Sequence, residues 1–204
     1  MKIEKYKKIK DNKFRLTFDN GTVLDIYEDV ILKNNLLYKK EIDICLLNEI
    51  ENDNNYQMVY NIALKYIDVR LRSIYEIEVY LKNKGYSLEI IERTIDKLKK
   101  NKLLDDEVFT KAFIKDKINF TSMGKFKIIN ELSKVKVNAD IIDKYIYEID
   151  EEIWYEKINK LVNKYLKCNR KYSGFVLKNK IYLYLIKLGY DKNFVINVLN
   201  NYEF

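Results

Sequence analysis

The chain has 204 residues, of which 48% are hydrophobic and 34% charged, a balance of globular proteins that excludes disorder and leaves room for a buried core. Its formal net charge of +7 favours an acidic partner, such as nucleic acid or an acidic protein groove, but only if the charge is clustered, because Lys, Asn, Ile and Tyr are abundant together. Histidine is absent, which removes the usual general base, the usual zinc ligand and every Ser-His or Cys-His dyad.

The N-terminus, Met1-Lys2-Ile3-Glu4-Lys5-Tyr6-Lys7-Lys8, lacks an apolar signal core, and no apolar run reaches bilayer length, so a cytoplasmic location is expected. Cys45 and Cys168 lie far apart and form no metal-like cluster, as suits reduced thiols. Strands are expected from about Lys2 to Tyr27. Phe14, Leu16 and Phe18 alternate with Arg15 and Thr17, Asp19-Asn20-Gly21 is a hairpin turn, and Val23, Leu24 and Ile26 return antiparallel. A further strand is expected over Lys5 to Lys10. The run Val30-Ile31-Leu32 suits either a short strand or a helical turn. Ile42 to Ile50 reads as a helix, and Asn52-Asp53-Asn54-Asn55 as a linker, since Asn and Asp favour turns.

Beyond it, helix follows helix. Val59, Ile62, Ala63, Tyr66 and Ile67 have helical spacing, Ser73-x-x-Glu76 is a capping box, Gly85 suits a left-handed helix end, and Ser87 caps the helix of Ile90, Ile91, Ile95 and Leu98. Asp105 caps a helix through Phe109 and Phe113. The chain breaks near Thr121 to Gly124 and resumes through Ile128 and Leu132, then Ile141 to Ile149. A third set starts around Glu151 with Trp154 as its anchor, continues over Phe175 to Leu188, and ends in an Asp191-capped helix. One pattern recurs through this region at a period of about fifty residues. Leu81-Lys82-Asn83-Lys84-Gly85-Tyr86 leads to Ile90-Ile91 and Ile95, and Leu185-Ile186-Lys187-Leu188-Gly189-Tyr190 leads to Phe194-Val195 and Leu199. Glu131-Leu132, Lys136-Val137, Ile141-Ile142 and Ile146 form a degenerate copy. The expected organisation is an N-terminal hairpin-plus-helix extension over 1–52 and three-helix repeats over 53–104, 105–150 and 151–204. Repeats of this kind offer an extended gripping surface instead of an enclosed catalytic pocket.

The motifs Arg70-x-Arg72-Ser73-x-x-Glu76, Leu81-x-x-Lys84-Gly85-Tyr86, Leu103-Leu104-Asp105-Asp106-x-x-Phe109-x-x-x-Phe113 and Gly124-x-x-Lys127-Ile128-x-x-Glu131-Leu132 occur in this order. Over roughly Tyr56 to Ile146 the chain resembles the RecX family of bacterial RecA regulators, with a weaker echo in the third repeat. It departs from the family pattern at Thr110, at Asn101 where glycine is frequent, and at Lys136 where glycine precedes Val137. The resemblance implies a mainly α fold of three tandem three-helix repeats in an elongated, curved array. It also implies a non-enzymatic, cofactor-free, monomeric protein that binds the RecA–DNA filament and opposes its growth, ATP hydrolysis and strand exchange in recombination and DNA repair.

A groove-binding protein must meet acidic protein surface, single- or double-stranded DNA phosphate, or both. The candidates are Arg70, Arg72, Lys82, Lys84 and Arg93, with Lys97, Lys99 and Lys100 after them, then Lys125, Lys127, Lys134 and Lys136, then Lys167, Arg170 and Lys171. The arginines matter most, because the guanidinium fork binds carboxylate or phosphate bidentately, whereas any single lysine also suits a solvated helix face. The alternative is direct DNA binding through helix-turn-helix-like units. Against it, the helix after Ser87 starts with Glu89 and Glu92 and the helix after Asn138 with Asp140 and Asp143, which is too acidic for a recognition helix. A nuclease or hydrolase built on Asp105-Asp106 lacks a metal-binding set; such pairs at helix starts ordinarily act as caps.

Overall fold

The computed structural model describes residues 1–10, 12–39, 41–169 and 171–204, and the described residues form three strands and ten helices. The chain divides into two compact units, Met1–Leu71 with Ile77–Leu103, and Arg72–Glu76 with Leu104–Phe204.

In the first unit, β1 (Ile3–Lys8), β2 (Lys13–Phe18) and β3 (Val23–Tyr27) form an antiparallel sheet in that order. The Asp19-Asn20-Gly21 hairpin closes as expected. Gly21 takes φ +78° and donates to Phe18 O at 2.9 Å, while the Asn20 side chain accepts from Thr22 N at 3.0 Å. Leu16, Phe18 and Ile26 are buried on one face, and Arg15 and Asp25, paired in register, meet in an exposed ion pair. The further strand, β1, lies slightly earlier than the 5–10 stretch.

The ambiguous Val30-Ile31-Leu32 run is helical. It lies in α1 (Glu28–Lys33), which buries Val30 and Ile31 in the core beside the sheet. The expected linker does not form. α2 (Ile44–Val69), capped by Asp43, runs unbroken through Asn52-Asp53-Asn54-Asn55. Asn and Asp are poor helix residues because their side chains compete for backbone partners, but here those side chains find partners outside the helix. Asn54 accepts from Tyr27 N and donates to Asp25 O, both at 3.0 Å, and Asp53 accepts from Lys33 at 2.5 Å and Asn34 at 3.1 Å.

α3 (Ile74–Asn83) opens on the expected capping box: Ser73 N donates to Glu76 at 3.1 Å and Glu76 N to Ser73 Oγ at 3.2 Å. α4 (Leu88–Lys100) begins after Ser87, whose backbone is extended but whose hydroxyl makes no capping bond. α4 packs on α2 and buries Ile91, Ile95 and Leu98.

The second unit contains α5 (Asp106–Phe120), α6 (Lys125–Lys134), α7 (Ala139–Tyr147), α8 (Glu151–Cys168), α9 (Gly174–Lys187) and α10 (Lys192–Leu199). Asp105, Asn138, Asp150 and Asp191 each accept a first-turn amide, which explains why acidic and amide residues punctuate the sequence. Asp106 accepts from Ile74 N at 2.9 Å, and Ser73 Oγ donates to Val135 O at 3.1 Å, so the capping residues also bind segments far apart in sequence. Ile128, Leu132, Ile158, Ile181, Leu185 and Val195 lie in one continuous core with Trp154. With fourteen residues, α9 is about one turn longer than α3 and α6, at ten each.

The recurring sequence signature is a helix-ending motif. At Leu81–Tyr86, Leu98–Leu103, Leu132–Val137 and Leu185–Tyr190, the last residue donates to the leucine carbonyl five positions back at 3.4, 2.9, 3.3 and 3.3 Å. The penultimate residue is left-handed each time: Gly85, Lys102, Lys136 and Gly189, with φ of +85°, +56°, +52° and +90°. Lys136 therefore occupies the glycine position, whereas the left-handed residue of the second motif is Lys102 and not Asn101. A side chain in this conformation costs about 1–2 kcal/mol, part of which the greater unfolded-state freedom of glycine offsets. Lys102→Gly is expected to stabilise the chain by about 0.5–1 kcal/mol in urea unfolding.

Candidate partner-binding surfaces

Two groups of basic side chains are built by tertiary packing, one in each unit. In the first unit, α4 lays Arg93 and Lys97, four residues apart, along Tyr56 and Tyr60 of α2, which have the same spacing. The Arg93 guanidinium carbon lies 4.0 Å from the Tyr56 ring centre, and the Lys97 ammonium lies 4.2 Å from that of Tyr60. Arg93 also approaches Asp53 at 3.5 Å, with half its side chain exposed. Lys97 donates to the buried Gln57 at 3.0 Å, and burial lowers its pKa despite the opposing charge of Asp29. Burial raises the Asp53 pKa, but hydrogen bonds from Lys33 and Asn34, with the charges of Lys33 and Arg93, outweigh it and hold the carboxyl below its ordinary range. The result is two cations laid on aromatic faces, with Arg93 as the exposed tip, in a groove that Asp29, Asp53, Glu89, Glu92 and Asp96 also line.

In the second unit, Glu131 gathers the lysines. Its carboxyl is lowered first by the hydrogen bond from Lys134 at 2.7 Å, and further by the charges of Lys134, Lys117 and Lys127. Three lysines around one carboxylate leave a net positive surface on α6 and the end of α5. Lys136 lies over Tyr75 at 4.5 Å. Lys125 stands apart, 3.4 Å above Tyr147 in an aromatic cleft.

The remaining candidates are dispersed. Arg70, at the end of α2, donates to Leu71 O at 2.8 Å. Arg72 is turned inward, its side chain only 10% exposed and 3.7 Å from Glu76. Lys82 is exposed, and Lys84 lies 5.1 Å from Tyr80, whose ring stacks on Tyr66 at 3.8 Å. Lys171 sits over Tyr172 at 5.1 Å, and Arg170 lies outside the described residues.

Sequence reasoning missed Tyr56 and Tyr60 as supports for Arg93 and Lys97, although the matched four-residue spacings were visible. It also missed Lys157, whose ammonium donates to Ile118 O at 2.6 Å and Thr121 O at 2.9 Å, closing the C-terminal end of α5. No spacing could reveal that contact, because α5 and α8 meet only in the folded chain. Among the described residues, no group of three His, Cys, Asp or Glu is placed to hold a metal, and no helix is long and apolar enough to cross a membrane.

A family model described as "RecX, first three-helix domain" matches residues 60–98, which span the end of α2, α3 and most of α4. The chain is 33% identical to the regulatory protein RecX of Finegoldia magna over 81% of this chain and 80% of that protein. It is 31% identical to the regulatory protein RecX of Clostridium botulinum over 100% of this chain and 98% of that one. Its fold is similar to a crystal structure of regulatory protein RecX, with a TM-score of 0.84 and 20% identity over 98% of this chain and 99% of that chain. A second crystal structure, of RecX from Lactobacillus salivarius, gives 0.68 at 22% identity over 72% of this chain and 96% of that one. The likeness thus extends from the sheet through α10, well past the motifs that first suggested it, and the chain belongs to the RecX family of regulatory proteins.

Proposed function

We propose that this protein binds the RecA–DNA filament as a cytoplasmic monomer and opposes filament growth, ATP hydrolysis and strand exchange. Membership of the RecX family along nearly the whole chain carries this reading. The three-helix groups α2–α4, α5–α7 and α8–α10 act as successive gripping modules over 53–104, 105–150 and 151–204, with 1–52 as an accessory extension. Arg93 with Lys97, and Lys127 with Lys134, make the main contacts to acidic protein surface or phosphate, supported by Arg70, Lys82, Lys84, Lys125, Lys136, Arg170 and Lys171. Arg72 acts by holding Glu76 in the capping box. Contacts that are weak singly sum through effective concentration when several modules engage at once.

The test is RecA ATP hydrolysis on single-stranded DNA with the protein added below one copy per RecA. Inhibition is expected. The combined variant Arg93→Ala/Lys127→Ala/Lys134→Ala is expected to need about tenfold more protein for half-inhibition, as suits three partly desolvated charged contacts. No inhibition, together with tight and steeply salt-dependent binding to bare DNA, would replace this reading with direct nucleic-acid binding.

A further inference from the structure

In the second unit, the starts of α6, α8 and α10 and the end of α7 enclose a cleft of about 530 Å³. The Lys125 ammonium sits 3.4 Å above the centre of the Tyr147 ring, so one wall already holds a cation on an aromatic face. Trp154 meets Tyr190 edge-on at 6.4 Å. Tyr190 is 3% exposed and lines the cleft, yet its buried hydroxyl has no hydrogen-bond partner.

The charge of the cleft selects the ligand. Glu151 and Asp191 line it against the single cation Lys125, so this pocket is acidic in a chain of net charge +7. Asp191 uses one carboxylate oxygen on Phe194 N, and Glu151 stands exposed on the first turn of α8. Burial lowers the Lys125 pKa, opposed by the charges of Glu151, Asp143 and Asp191. A phosphate or carboxylate entering here would face two like charges. One further cation would bring the cleft to neutrality.

A guanidinium suits every part of it. It is planar, stacks on aromatic rings, carries only donors, and tolerates partial desolvation better than an ammonium. We propose that this cleft binds an arginine side chain of a protein partner, stacked on the aromatic wall and donating to Glu151 and Asp191. The site shares only Lys125 with the filament contacts proposed above, and its test requires only this chain and a guanidinium.

Trp154 is the only tryptophan, so its emission in the full chain reports on the cleft. Titration with the blocked peptide acetyl-Gly-Arg-Gly-amide is expected to give a saturable change in emission. The citrulline peptide, of the same shape without charge, is expected to bind at least about tenfold more weakly, and Glu151→Gln to weaken the arginine peptide by about tenfold. Equal binding of the citrulline peptide, or no saturable change with the arginine peptide, would overturn the proposal. Saturation by a short oligothymidylate in place of the peptide would overturn it too, and make the cleft a base-stacking site.

Discussion

Gly189→Ala is expected to destabilise the second unit by about 3 kcal/mol or more, lowering its melting temperature by about 6–12 °C. Two costs combine at this position. The residue sits at φ +90°, where an L side chain is strained by about 1–2 kcal/mol, and an added Cβ would lie 2.5 Å from Lys127 N and 2.6 Å from Lys127 Cβ. The close approach serves a purpose, because Leu188 O accepts from Gly124 N at 2.8 Å and Gly189 O accepts from Phe126 N at 2.9 Å. The end of α9 thereby caps the start of α6, whose own N-cap residue, Gly124, has no side chain to do so.

Two companion substitutions separate the terms. Gly124→Ala meets the Gly189 and Tyr190 backbone at 2.6 Å but has an ordinary negative φ of −86°, so it reads the steric cost alone. Gly85→Ala has φ +85° with nothing within 4 Å, so it reads the strain alone, about 1 kcal/mol. Urea unfolding followed by Trp154 emission reports the two changes in the second unit, and circular dichroism reports Gly85→Ala. Equal effects at Gly85 and Gly189 would show that the contact with α6 relaxes at no cost.

The sequence displayed the helices well because their ends are written in side chains. Asp105, Asn138 and Asp191 announce starts, and Leu-x-x-x-Gly-Tyr announces stops, each through local hydrogen bonds that need no knowledge of the rest of the fold. What stayed hidden depends on partners distant in the chain. Asn52 to Asn55 has the composition of a turn, yet it lies within α2, where Asn54 meets the edge of β3 and Asp53 meets Lys33 and Asn34. Arg72 looks like a binding arginine until its side chain is found turned in toward Glu76. The basic surfaces were partly legible: Lys127 and Lys134 share a helix with Glu131, whereas Lys117 joins them only because α5 and α6 pack together. The cleft around Trp154 was not legible at all, because its walls come from four helices.

Asn54→Leu is expected to destabilise the first unit by about 2–3 kcal/mol, while Asn52→Ala and Asn55→Ala, two residues and one residue away, stay within about 0.5 kcal/mol. Asn52 and Asn55 are exposed, whereas the Asn54 amide takes the place of a fourth strand. Its oxygen accepts from Tyr27 N and its nitrogen donates to Asp25 O, both at 3.0 Å, satisfying two backbone groups on the free edge of β3. Leucine keeps the branched shape and improves helix propensity but is bulkier, so Asn54→Ala, which removes the amide without adding bulk, is expected to expose the Tyr27 amide in the same way. Hydrogen exchange identifies the site: the Tyr27 amide, protected in the parent chain, is expected to exchange at a rate set by local opening in Asn54→Leu, with the β1–β2 amides unchanged. An unchanged Tyr27 amide would mean that water replaces Asn54 at no cost, and that α2 stays helical through 52–55 on core packing alone.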